Sequence, residues 1–159
     1  MTDAEKEYGK IELIDETIIR SKNGNSLWSI PIKEIVVIGE FTTTDGFYRE
    51  DWFLTLITAK TWCEIPMGTE GIDIFLNELG KKVNSELTLQ LTNSTDWKTR
   101  IIWPLASQNK KLYDHKILEP KTVFEKIKNF FGNRNSIRQF SEETKKIISE
   151  KVSNPLSCK

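Results

Sequence analysis

The sequence predicts an α+β fold: a mainly antiparallel β roll or barrel capped by one amphipathic helix, with an extra hairpin and two C-terminal helices. Three observations predict it. Short apolar–polar alternations separated by turn dipeptides fill the first two-thirds of the chain. A single change to a helical period interrupts them over residues 70–84. The last third turns basic and regains a helical period.

The elements follow in order. Lys10–Ile14 and residues 17–20 read as a strand pair about Asp15-Glu16. Asn23-Gly24 is a two-residue turn signal, because both residues tolerate positive φ. Residues 26–31 alternate as a half-buried strand does, and residues 35–41 form a β-branched run. Asp45-Gly46 marks the tip of a longer hairpin loop. Trp52–Thr58 is the most apolar strand and is expected to be central, covered on both faces. Trp62–Pro66 is a short partner whose proline suggests an edge or a strand end. Thr69 is then a plausible N-cap, with Glu70 suited to a first helical turn. Ile72, Phe75, Leu76, Leu79 and Val83 fall on one narrow arc of the helix that follows, with Lys81 and Lys82 favourable in its last turn.

Past this helix, residues 86–92 alternate cleanly and are expected to pair with Thr99–Trp103 as a hairpin over 86–103. Residues 104–119 are polar and poorly patterned. Pro120 opens a helix over 121–131 with Gly132 as its stop, and a second begins near Ser141 and runs to about Val152. The division expected is a β-rich domain over 8–105 with its capping helix at 70–84, a connector over 106–119 and a helical extension over 120–153.

Residues 10–84 resemble the pleckstrin-homology-like superfold, particularly its bacterial members. The likeness rests on "IELIDETIIRSKNGNSLWSIPIKEIVVIG", "DWFLTLIT" and "WCEIPMGTEGIDIFLNELGKKV". It lies in a short strand pair, a tryptophan-bearing strand, the I-P-x-x-x-I segment Ile30-Pro31-Ile32-Lys33-Glu34-Ile35, and a closing amphipathic helix. Six strands precede that helix here, where the family generally has seven. The resemblance implies a scaffold for binding lipids, peptides or proteins rather than for chemistry. Members that bind phosphoinositides cluster Lys and Arg in the first strand pair. The corresponding Arg20, Lys22 and Lys33 are diluted by Glu12, Asp15, Glu16 and Glu34, which argues against such a pocket.

Chemistry finds little to work with. His115 is the one histidine, and Cys63 and Cys158 lie far apart, so no metal-ligand spacing and no disulfide framework arises. The eight glycines are scattered and form no phosphate-cradling loop. Glu50-Asp51 and the pair Glu70 and Asp73 are explained by a solvated strand edge and by the helix dipole. The expectation is a protein without catalytic residues, cofactor or metal. Residues 1–10 are charged and unlike a secretory leader, no run approaches the length of a membrane span, and a cytoplasmic location is the default.

Charge is unevenly spread. Residues 1–80 hold 7 Lys/Arg against 15 Asp/Glu, and residues 81–159 hold 16 against 8. Within the basic half, Phe124, Ile127, Phe130 and Phe131 share one arc of the predicted helix, with Lys126 and Lys128 opposite. That stripe either packs on the β domain or meets a partner. Trp97 sits in a polar turn beside Lys98 and Arg100, where it either stacks on a partner or folds back as a cap. The expected function is recognition of a protein or peptide, a second copy of the chain included, at a sheet edge or along the phenylalanine stripe. Electrostatic binding of nucleic acid or anionic membrane is the alternative, with a small inhibitory or immunity-type protein a third. Lysines outnumber arginines 18 to 5, and no helix-turn-helix, zinc-finger or RNP pattern occurs, which argues against sequence-specific readout of nucleic acid.

Overall fold

The computed structural model describes residues 2–43, 51–92, 94, 96–117 and 136–153. Among them the chain forms nine strands and three helices. Helix α1 (Asp3–Tyr8) comes first, followed by β1 (Lys10–Ile14), β2 (Thr17–Lys22), β3 (Asn25–Pro31), β4 (Ile35–Thr42), β5 (Trp52–Thr58) and β6 (Trp62–Pro66). Helix α2 (Ile72–Lys82) precedes β7 (Thr99–Trp103), β8 (Tyr113–Ile117), β9 (Ser136–Phe140) and α3 (Glu142–Ser153). Every strand pairing is antiparallel, apart from one isolated parallel bridge between Lys10 and Glu70.

The six strands read before the helix form where alternation and turn chemistry place them. Asp15, Glu16, Asn23 and Gly24 all take positive φ, the requirement of tight two-residue hairpin turns. Strands β1-β2-β3 make one sheet and β6-β5-β4-β7 a second, and the two do not close into a barrel. Their facing sides and α2 enclose the first core, where Ile11, Ile18, Ile38, Leu54, Ile65 and Ile102 meet Ile72, Phe75, Leu76 and Leu79. The helical stripe read from the sequence is thus the face that α2 buries, and Val83 packs partly against the same core. Each such side chain contributes roughly 1.5–3 kcal/mol through burial. Thr69 does not cap α2. Gly71 holds the N-cap position with φ 85°, and Thr69 is buried instead.

A second core covers the other face of the β4–β5 pair, where Val37, Phe41, Ile57 and Ile101 meet Leu112 and Tyr113. Phe140 of β9 and Ile147 and Ile148 of α3 add to it. Trp52–Thr58 is therefore central and covered on both faces, as its composition implies. Gly39 of β4 lets this layer approach closely, because a Cβ there would stand 2.6 Å from a Leu112 methyl and 2.9 Å from the Arg100 carbonyl.

Four further features depart from the sequence reading. Residues 86–92 join no ladder, and β7 pairs with β4. Within the stretch read as a connector, β8 forms and pairs with β9, so the chain's additional hairpin lies here rather than over 86–103. β9 is a strand inside the region read as a helical extension, and residues 121–131, read there as a helix, lie outside the described residues, as does Asp45-Gly46. The second predicted helix is present as α3, with the Ser141 hydroxyl accepting the Thr144 amide at 3.1 Å. Finally, α1 is an element the charge of residues 1–10 concealed, although Thr2 and Glu5 stand at capping-box spacing and the Thr2 hydroxyl accepts the Glu5 amide at 3.1 Å.

Gly39→Ala is expected to lower stability by about 1–3 kcal/mol through overpacking, read from urea denaturation. The loss should shrink in a Leu112→Ala background, since that substitution removes the nearest atoms.

Candidate functional site

The polar chemistry of the interior centres on Glu40. Its position in β4 turns its side chain to the face that also carries Ile38, and it is fully buried. Its carboxylate accepts the Arg100 Nε at 2.5 Å, the Trp52 indole N–H at 2.7 Å and the Gln90 and Leu91 amides at 2.9 and 3.3 Å. Arg100 lies opposite Glu40 on β7. Its guanidinium also donates to the Asn109 side-chain oxygen at 2.6 Å and to the Thr88 carbonyl. A buried charge pair survives only when its hydrogen-bonding capacity is largely met; here four donors reach the Glu40 carboxylate, and all three nitrogens of Arg100 donate.

This network fixes the course of residues 86–91. Leu87, Leu89 and Leu91 pack partly against the first core, while Glu86, Thr88 and Gln90 are exposed. That is the burial alternation of a strand. In an extended chain the N–H and C=O of one residue share a side and those of the next point the other way. The Thr88 carbonyl and the Gln90 amide face Arg100 and Glu40, which turns the polar groups of Leu87 and Leu89 away from them; the alternation ends at Leu91, whose amide also reaches Glu40. Neither leucine's backbone groups meet a partner among the described residues. Near Leu87 this outer edge abuts α2, where a Cβ on Gly80 would lie 3.8 Å from the Leu87 nitrogen and 2.8 Å from the Ser85 carbonyl. Beyond that point a groove of about 690 Å³ lies between Asp73, Leu76 and Asn77 of α2 and residues 84–89. A second, separate depression of about 620 Å³ shares Lys81 with it and is lined by Leu13, Asp15, Glu16, Glu78 and Lys82 as well.

A second polar cluster ties the β8–β9 hairpin to β6. Arg138 of β9 donates to Glu64 at 2.7 Å and lies 4.0 Å from the centre of the Phe41 ring. The Tyr113 hydroxyl donates to the same carboxylate at 3.3 Å, and Phe140 stacks on Tyr113 with centroids 5.2 Å apart. Burial, above all, pushes the Tyr113 phenol up to about 12. Arg20 points between the sheets and donates to the Glu64 and Tyr8 carbonyls at 3.0 and 2.9 Å. Burial likewise pushes the half-buried Cys63 thiol up, with Arg20 opposing it.

The residues singled out in sequence are not brought together. Arg100 belongs to the interior and is no part of an exposed basic surface. Trp97 is half-buried in the second core and meets the His115 ring edge-on at 3.7 Å, the cap arrangement. Lys98 alone of this trio is exposed. Phe124, Lys126, Ile127, Lys128, Phe130 and Phe131 lie outside the described residues. His115 stands in β8 rather than in a connector. Among the described residues no group of three or more His, Cys, Asp or Glu could hold a metal ion, and no helix is long and apolar enough to cross a membrane. The groove beside residues 86–91 escaped sequence reading, because an alternating pattern reports which side chains are covered and not whether the backbone has a partner.

Comparison with protein-family models, with curated proteins and with solved structures finds no match to this chain.

Arg100→Met is expected to cost about 3–5 kcal/mol at neutral pH, because it strands the Glu40 carboxylate; chemical denaturation measures it. Tyr113 gives a pH signature. Its folded state holds the phenol proton more tightly than the unfolded chain, whose tyrosine titrates near 10. This contribution is whole below about pH 10 and is lost as pH rises through about 12. The decline in denaturation midpoint between those values should be shallower in Tyr113→Phe.

Proposed function

We propose that this chain is a non-catalytic module that recognises a protein partner as an extended segment laid in the groove between α2 and residues 84–89. One observation carries the reading. Residues 86–91 have the burial pattern of a strand, their inner edge is tied to Glu40 and Arg100, and the outer edge at Leu89 lacks a backbone partner among the described residues. An added strand supplies such a partner through main-chain hydrogen bonds, and neighbouring side-chain pockets select what is added. Leu76, Leu87 and Leu89 provide the apolar floor for that selection.

The plan of residues 10–84, six short antiparallel strands and then a one-sided helix, supports a pleckstrin-homology-like binding scaffold in particular. β3 is also a sheet edge with no paired neighbour among the described residues, but a bulge opposite Arg20/Ser21 and Pro31 at its end break the run that a guest strand needs. The groove offers concavity as well as an edge.

Affinity capture from the source proteome tests the reading. Leu89→Pro deletes the outward amide, and Leu89→Ala controls for lost packing. Proteins retained by the wild type and by Leu89→Ala but lost with Leu89→Pro support it. Equal retention by a folded Leu89→Pro variant overturns it.

A further inference from the structure

The charges around α2 specify the segment that fits. The groove is bordered by Asp73, Glu86 and Lys81, and the neighbouring depression by Asp15, Glu16, Glu78, Lys81 and Lys82. Lys82 pairs with Glu16 and so removes one charge of each sign. Asp15, Asp73, Glu78 and Glu86 have no ion-pair partner among the described residues. Two unpaired carboxylates, Asp73 and Glu86, therefore stand against Lys81 in the groove, and two more, Asp15 and Glu78, stand in the depression next to it. Asp73, Glu78 and Glu86 are exposed, so they are solvated now and available to a cation later.

Building on the strand-addition reading, we infer that the partner segment is basic, with Lys or Arg alternating with aliphatic residues. The alternation follows from the groove itself. An extended guest sends successive side chains to opposite faces. One set meets the floor of Leu76, Leu87 and Leu89, and the other reaches the carboxylate rim. Acidic segments are repelled at the same rim, so the charges select as well as attract. Lys81 marks the point along the groove where an uncharged guest residue fits best.

The test uses the full chain, labelled with ¹⁵N, and two capped synthetic hexapeptides of sequence KVKVKL and EVEVEL, at about 50 mM salt where such charges are weakly screened. Backbone amide shifts report where each binds. The expected result is saturable binding of the lysine peptide, with shifts at Leu76, Asn77 and Leu89, roughly tenfold tighter than the glutamate peptide. The double variant Asp73→Lys, Glu86→Lys changes only exposed side chains and should invert that preference, and its amide spectrum confirms that it folds. If the glutamate peptide binds the groove as well as the lysine peptide does, the charge inference fails while the strand-addition reading stands. If the lysine peptide shifts residues elsewhere, such as β3, or shifts none, the inference is overturned, and the Leu89→Pro capture decides the underlying reading independently.

Discussion

Glu40 enters the core as a carboxylate without bulk water around it, and the donors that meet it come from separate parts of the chain. Trp52 reaches it from the neighbouring strand, Arg100 from β7, and Gln90 and Leu91 from a stretch of backbone that has no other ladder. Desolvating a carboxylate costs several kcal/mol unless the charge is neutralised and its lone pairs are filled. Arg100 neutralises it, and the other three donors fill the remaining capacity. One side chain thus does for residues 86–91 what a neighbouring strand would otherwise do. The path of those residues, the seating of β7 and the groove beside α2 all follow from satisfying this one charge.

Sheet β6-β5-β4-β7 works as a partition between two cores built differently. On one side, sheet β1-β2-β3 and α2 supply mostly aliphatic side chains. On the other, Phe41 stacks on Phe53 and Tyr113 on Phe140, Phe41 meets Tyr113 edge-on with Arg138 among them, and α3 lies over the result. Continuous apolar runs in β4 and β5 are what such a position demands, since neither face of these strands is solvated. Gly39 shows how close the second layer comes.

Much of the first core was legible because alternation, turn dipeptides and helical period all report side-chain burial, and burial is what forms it. Asn23-Gly24 and Asp15-Glu16 announce their turns, and the Ile72 to Val83 stripe announces α2. The rest was hidden for physical reasons. Arg100 reads as a surface cation because nothing local in "KTRIIW" points to a carboxylate sixty positions earlier. β8 is polar, "YDHKI", and its partner begins only at Ser136, so neither composition nor a short turn marks the hairpin. Residues 86–92 carry a faithful strand pattern, but pairing is a property of the backbone and leaves no mark on side-chain alternation. The candidate groove depends on that missing pairing and was invisible for the same reason.

The Glu40–Arg100 pair also constrains how the chain can be made and cut. Loop closure over this separation precedes any reward from the contact, and long-range pairings of this kind slow folding. During synthesis, residues 10–84 emerge with every apolar stripe of the first sheet and α2 but without the cation that neutralises Glu40. Until β7 has left the ribosome, the nascent core must leave that carboxylate in water, stay open around it or bury it protonated. The smallest cooperative unit therefore extends past Arg100, although the sequence pattern resembling a complete domain ends at residue 84.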